Sequence, residues 1–353
     1  MKLLIVTQTV DTEDPALGFF VGWIQEFAKH AERIEVICLK EGKYDLPANV
    51  RVHSLGKEHP PRFARRLVYA ARFKLLAWRL RHDYDAVFVH MNQEYVLIAG
   101  LLWKFLGKKI ALWRNHPLGG FATHVALVLA NVVFTTSPYA YVARSPKVKF
   151  MPVGIDTDYF HPSNTSTKLP NSILMFGRVA PIKKVVEFVD VLSLLQAKDI
   201  PFSANIVGDA TLKDKVYYTK VSDRVLQGNF GTQAVLTPSI TLKEAPALYT
   251  NYTVVVNLTP TGSFDKTILE SMACGTLVVT TNQVLKGAIP DMFVSEEDNL
   301  VAVAKHIENI FTLSPSEYEK YALLTRNYVI EQHSLEKLSA NLFKEFALLT
   351  NQS

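Results

Sequence analysis

Short apolar runs alternate with helix-period segments along almost the whole chain. The runs LLIV, AVFV and VVFT are apolar on both faces, as in a parallel sheet covered on both sides. Strands are predicted at Lys2–Gln8, Arg33–Leu39, Val50–Leu55, Asp85–Met91, Lys109–Arg114, Val132–Thr136 and Val148–Val153. Helices are predicted at Gly18–His30, Arg62–Arg81 and Glu94–Leu106. The polar stretch His161–Asn171, HPSNTSTKLPN, reads as a linker. The alternation then restarts, with strands at Ile173–Phe176, Ala204–Val207, Val235–Ile240 and Thr253–Leu258. Helices at Lys183–Ala197, Leu212–Leu226 and Lys243–Asn251 separate them, and Leu300–Leu349 reads as three helices without strands. The pattern is two doubly wound α/β domains, 1–160 and 161–334. Ligands are expected at the C-terminal ends of the strands, in a cleft between the domains.

The most informative segment is Thr259–Thr280, TPTGSFDKTILESMACGTLVVT. Small and polar residues lead into a helix over Phe264–Cys274, with Ile268, Leu269, Met272 and Ala273 on one face. Gly275 ends it, and Leu277–Val279 is a buried strand. A turn containing Gly262 and Ser263 before a helix N-terminus offers backbone N–H groups and a positive dipole end to a phosphate. Glu270, further along the helix, is placed to accept a hydrogen bond from a sugar hydroxyl.

Composition is that of an ordinary globular protein: 353 residues, 48% hydrophobic and 20% charged. The two cysteines, Cys38 and Cys274, form neither a metal cluster nor a disulfide framework, and a reducing cytoplasm is expected. MKLLIVTQ is too short an apolar run for a signal peptide, and no run of about 18 apolar residues exists to span a membrane. Residues 1–160 hold 21 Lys/Arg against 14 Asp/Glu, whereas 161–353 hold 17 against 19. Much of that excess lies in Arg62–Arg81, with seven basic residues and no acidic one. Its Phe63, Leu67, Ala70, Ala71, Leu75 and Trp78 recur at helical spacing, a basic amphipathic helix. Such a helix either packs on its own sheet with solvated arginines or meets an anionic membrane surface. No aromatic-studded motif accompanies the charge, so nucleic acid is disfavoured.

Five further groups stand at strand ends. Gly177-Arg178 follows ILMF, and Lys183 opens the next helix, a pair suited to clamping a diphosphate. Gly208 ends the following strand in a tight turn. His116, after KIALWRN, and His90 with Asn92, in HMNQEY, carry polar groups to the rim of the first domain. Asp14 and Gly18 lie in the loop after the first strand. There is no G-x-G-x-x-G, no P-loop, no nucleophile elbow and no metal cluster.

In their order, IVTQ with its acidic loop, WRNH, PVGIDTDYF, FGRVAPIKK, IVGD and TGSFDKTILESMACGTLVV resemble a retaining GT-B glycosyltransferase, family 4 (glycosyl transferases group 1). The resemblance covers nearly the whole chain. It implies two Rossmann-like domains, with the last helix, about 335–353, crossing back to the N-terminal one. The donor would be a nucleotide-diphosphate sugar, with no cofactor and no metal. The acceptor would be a glycan or a lipid-linked glycan, as in bacterial envelope polysaccharide assembly. Arg178 and Lys183 would hold the diphosphate and stabilise the leaving group. Glu270 would bind the ribose, and His116 would contact the donor sugar. Gly177, Gly208, Gly262, Ser263, Phe264, Asp265 and Lys266 would complete the donor side. Asp14, Gly18, His90 and Asn92 would face the acceptor. The enzyme would work in the cytoplasm or on the inner face of the cell membrane.

One position departs from the family. Its motif carries two glutamates eight residues apart, and the first falls at Gly262. Asp265, Lys266 or backbone groups are the available substitutes. The departure keeps open a nucleotide-sugar-binding partner subunit without turnover, and a nucleotide-sugar epimerase of the same fold.

Overall fold

The structure, a computed structural model, describes residues 1–60, 65–163, 168–262 and 264–351. It divides into two compact units, Met1–Gly154 with Leu335–Ser353, and Ile155–Ser334.

The first unit is built on strands β1 (Lys2–Val10), β2 (Arg33–Glu41), β3 (Val50–Ser54), β4 (Ala86–His90), β5 (Lys109–Trp113), β6 (Val132–Thr135) and β7 (Val148–Phe150). They form one parallel sheet in the order β3-β2-β1-β4-β5-β6-β7. Leu3 and Ile5 of β1 enter one core, and Leu4 and Val6 enter the other. That period-two division is why the run LLIV carries no polar face. The helices are α1 (Phe19–Ala28), α2 (Arg65–Arg79), α3 (Gln93–Phe105) and α4 (Phe121–Leu129). The chain's last helix, Leu335–Asn351, buries Leu338, Leu342 and Phe346 in the α1 side of this core.

Two features of this unit differ from the sequence pattern. Helix α4, FATHVALVL, carries too few polar residues to show a helical period. In α2 the buried side chains are Phe73 and Ala77, with Tyr69, Leu76 and Leu80 packed beside them. The periodic set Leu67, Ala71, Leu75 and Trp78 instead faces solvent. Two apolar stripes run along this helix, and the sheet takes the one that holds Phe73. Residues 61–64, including Arg62 and Phe63, lie outside the described residues.

The second unit carries β8 (Ser172–Phe176), β9 (Ser203–Val207), β10 (Ala234–Thr237), β11 (Val254–Asn257) and β12 (Leu277–Thr280). They form a parallel sheet in the order β10-β9-β8-β11-β12. Its helices are α5 (Val185–Gln196), α6 (Lys215–Gln227), α7 (Ala245–Asn251), α8 (Lys266–Ala273), α9 (Leu300–Phe311) and α10 (Pro315–His333). Helices α5, α6 and α7 are each preceded by a 3-10 turn, at Pro181–Lys183, Leu212–Asp214 and Leu242–Glu244. The α-helices therefore begin later than the periodicity predicts. Before α5 the break is sharp, because Lys184 adopts a left-handed φ of 51°. No helix among the described residues is long and apolar enough to cross a membrane.

Candidate functional site

In the second unit the strand order reverses between β8 and β11, which is where ligands bind in open parallel sheets. The candidates of this unit cluster outside those strand ends. A small pocket there is lined by Phe176, Gly177, Arg178, Lys183, Asn257 and Thr259.

Gly177 and Gly208 hold two of its loops together. Gly177 N–H donates to Val207 O at 3.0 Å, and Val179 N–H donates to Asp209 O at 3.0 Å. A Cβ on Gly208 would fall 1.9 Å from Gly177 O, so only glycine permits this backbone approach. Gly208 is thereby a structural element of the site floor.

Arg178 is exposed and makes no hydrogen bond or ion pair among the described residues. Lys183 is different: its Nζ is paired with the Asp265 carboxylate. Asp265 is the N-cap of α8 and also accepts from Asn257 Nδ2 (2.7 Å), Thr259 Oγ1 (3.1 Å) and Thr267 N–H (3.4 Å). Burial alone would raise this carboxyl, but the Lys183 ammonium and these donors hold it below its ordinary value. The N-terminus of α8, read as open to a phosphate, thus already faces a carboxylate of the chain. That carboxylate is saturated, so Asp265 is not a free acceptor for a sugar hydroxyl.

Further along α8, Glu270 is buried and accepts from the Tyr249 hydroxyl at 2.9 Å. Burial pushes Glu270 up and pushes Lys266, one turn earlier, down, while each counters the other. Gly275, with φ 72°, closes the helix as predicted, its N–H donating to Met272 O at 3.0 Å. Phe264 packs its ring against His333. Gly262 is buried with φ 139°. Ser263 lies outside the described residues.

Four contributors escaped the sequence reading. Asn257 and Thr259 at the end of β11 each carry a polar group to Asp265, and Tyr249 on α7 carries one to Glu270. A polar residue closing the apolar run VVVN was the available signal for Asn257. Glu297, before α9, accepts from Thr261 N–H at 2.6 Å, beside Gly262. Nothing local marks it, because it is 35 residues from Gly262 in sequence.

In the first unit, His116 lies exposed beyond the end of β5, with Leu118 N–H donating to its Nδ1 at 3.0 Å. Asp14 Oδ1 accepts from Ala16 N–H (3.0 Å) and Leu17 N–H (2.9 Å), shaping the entry to α1. Gly18 is buried against the carbonyls of Asp14 and Thr12. Asn92 is the N-cap residue of α3. His90 is 2% exposed and stacked on Phe20 at 3.9 Å, beside Trp23, with Nδ1 3.2 Å from Thr7 Oγ1. The sequence put it on a rim; the aromatic residues of α1 close over it. Among the described residues no group of three His, Cys, Asp or Glu stands together as a metal site.

Residues 170–312, which hold every candidate just described in the second unit except Phe264's partner His333, match the family model of glycosyl transferases group 1. The match lies within the second unit. No curated protein matches the chain in sequence. Among solved structures, a glycosyltransferase from Rickettsia africae is 16% identical with a TM-score of 0.80, covering 100% of both chains. Sucrose-phosphate synthase from Thermosynechococcus elongatus is 16% identical at 0.79, again over 100% of both. Anabaena Alr3699/HepE, solved with UDP and glucose, is 15% identical at 0.77, over 98% of this chain and 99% of that one.

The fold is GT-B. Within a GT-B chain, the Arg178–Lys183–Asp265 cluster belongs to the second unit, and His116 with the Asp14–Gly18 loop to the first.

Proposed function

We propose that this GT-B protein is a family 4 retaining glycosyltransferase that moves a sugar from a nucleotide-diphosphate sugar to an acceptor hydroxyl. The observation that carries the reading is the unpaired Arg178 lining one pocket with Lys183 at the β8–β11 switch point. Two cations there suit a diphosphate, and they stabilise the charge that develops as it leaves. This clamp does the electrostatic work without a metal. The departing phosphate itself takes up the acceptor proton, which explains why no pair of catalytic carboxylates is needed. Glu270 holds the ribose, with its carboxylate oriented by Tyr249. His116 meets the donor sugar, and the Asp14–Gly18 loop with Asn92 meets the acceptor. The HepE complex with UDP and glucose supports a UDP-sugar as the first donor to test.

The acceptor is a lipid-linked glycan, and the protein works at an anionic membrane surface. The exposed stripe of α2 supports this, since Leu67, Leu75 and Trp78 alternate there with exposed Arg66, Arg72, Lys74 and Arg79.

The test is a binding screen of UDP-, GDP- and ADP-sugars, followed by transfer assays with the donor that binds. Transfer with retained anomeric configuration is expected. Free epimer as the product would overturn the assignment in favour of an epimerase. Donor binding with neither turnover nor hydrolysis, across a broad acceptor panel, would identify a binding subunit, the reading that Gly262 favours.

A further inference from the structure

The second unit has another concavity, which shares only Gly275 with the residues of the site above. It is an open concavity of about 410 Å³, the size range of small-molecule sites, between α10 and the residues Pro162 and Lys168. Pro162, Pro315 and Leu323 give it apolar walls, with the Tyr318 ring beside them. Two cations, Lys168 and Arg326, line the same pocket.

Neither cation has a carboxylate partner among the described residues. Lys168 spends its three donors on neutral acceptors, Thr250 O (3.2 Å), Tyr252 O (3.2 Å) and Thr276 Oγ1 (2.9 Å). Arg326 uses only Nη1, on Phe160 O (3.1 Å) and Ala273 O. Its Nε and Nη2 make no hydrogen bond among the described residues. Glu319, exposed on the same lining, pairs with neither cation. Burial holds the Lys168 ammonium down to about 8 and lowers Arg326 as well. Cys274 beside them is a neutral thiol, pushed up to about 12 by burial. Two half-buried cations line this apolar space with no carboxylate among the described residues paired to either: Glu319 lies exposed on the lining, and Asp158 acts on Arg326 only through space, so a bound anion has electrostatic energy to gain.

We propose that this pocket binds an amphiphilic anion, a carboxylate head on an apolar body, with the free edge of the Arg326 guanidinium as its hydrogen-bonding anchor. The head takes Nε and Nη2 in the two-point geometry that guanidinium offers. Lys168 contributes charge, since its donors are already used. The apolar body lies against Pro162, Pro315 and Leu323. The site is independent of the donor clamp, so sugar transfer can fail while this binding holds.

The experiment is calorimetric titration of the whole protein with three probes: decanoate, decanol and inorganic phosphate. Decanoate is expected to bind at least about tenfold more tightly than decanol, which lacks the charge, and than phosphate, which lacks the body. Arg326→Gln should weaken decanoate at least about tenfold. Ala322→Trp fills the pocket while keeping both cations, and should abolish binding even if the Arg326 variant fails to fold. Equal affinity for the three probes, no binding of decanoate, or decanoate binding unchanged in Ala322→Trp would each overturn the proposal.

Discussion

The Lys183 ammonium is bound to the Asp265 carboxylate, whereas Arg178, lining the same pocket, has no partner among the described residues. The two cations of the clamp therefore differ in what they do for the fold. Lys183 ties the turn before α5 to the N-cap of α8, and Arg178 ties nothing.

That difference predicts a split between stability and activity. Arg178→Ala should leave the unfolding free energy within about 0.5 kcal/mol of the parent. It should lower transfer by about a hundredfold or more, as removal of a transition-state donor does. Lys183→Ala should lower transfer similarly and also destabilise by about 3 kcal/mol, because it leaves Asp265 buried without its counter-ion. Denaturant titration beside a transfer assay checks both. Full activity in both variants would remove the clamp from the mechanism.

Asp265 also sets a pH dependence. Its carboxyl titrates below its ordinary value of 3.8 in the folded chain, so the folded state favours the ionised form. The stability it contributes is present above that ordinary value and is lost as pH falls through the lower, folded one. Asp265→Asn should lower stability at neutral pH and flatten the fall below about pH 4, where unfolded aspartate begins to protonate. A difference between parent and variant that stays constant across the acid range would contradict the pairing.

Much of this site was legible in the sequence because it sits at strand ends. FGR, VGD and the DKTILE helix each stand where an apolar run stops, and parallel topology brings those stops to one edge of the sheet. Side-chain pairing was not legible. Lys183 and Asp265 are 82 residues apart, and only the β8–β11 adjacency brings them together. The same limit applied to α2, where two apolar stripes fit one helical period and the sheet selects between them. His90 shows the converse: a polar residue at a strand end is drawn inward when a neighbouring helix supplies Phe20 and Trp23 to stack on it.

Gly208 offers a test of the site floor. Its Cβ would meet Gly177 O at 1.9 Å, closer than any van der Waals contact. Gly208→Ala must push the β8 and β9 loops apart, at a cost of about 3 kcal/mol. Donor affinity should fall with it, because Gly177 and Arg178 move together. Thermal unfolding and donor titration measure the two effects.

Glu297 is the carboxylate hydrogen-bonded beside Gly262, where the family motif has its first glutamate, and its substitution tests whether it takes that role. Asp265 cannot, since four donors already saturate it. Glu297→Gln should keep the fold, given that the side chain is exposed. It should shift the ratio of kcat/KM between donor sugars that differ at one hydroxyl by about tenfold or more, the scale of one lost charged hydrogen bond. An unchanged ratio would return the role to backbone groups of the loop.

The outer face of the first unit carries the last prediction. Leu67 is 74% exposed on α2, and Leu101 and Phe105 on α3 are 73% and 84% exposed. Helix α3 packs its Tyr95 and Trp103 against Phe73 of α2, and both helices cover the same side of the sheet. Both helices therefore present exposed apolar residues to solvent, and Arg66, Lys74, Arg79 and Lys104 are exposed on the same two helices. Basic charge brings such a surface to an anionic bilayer at about 1 kcal/mol per residue, and the apolar residues then bury themselves in the interface. In flotation with anionic liposomes the protein should rise with the lipid at low salt and release as salt screens the charge. Replacing Arg66, Lys74, Arg79 and Lys104 by Gln should abolish flotation, and Phe105→Ser with Trp78→Ser should weaken it without changing the salt dependence. Binding that survives the four charge replacements, or that is equal on neutral lipid, would count against a membrane role for this face.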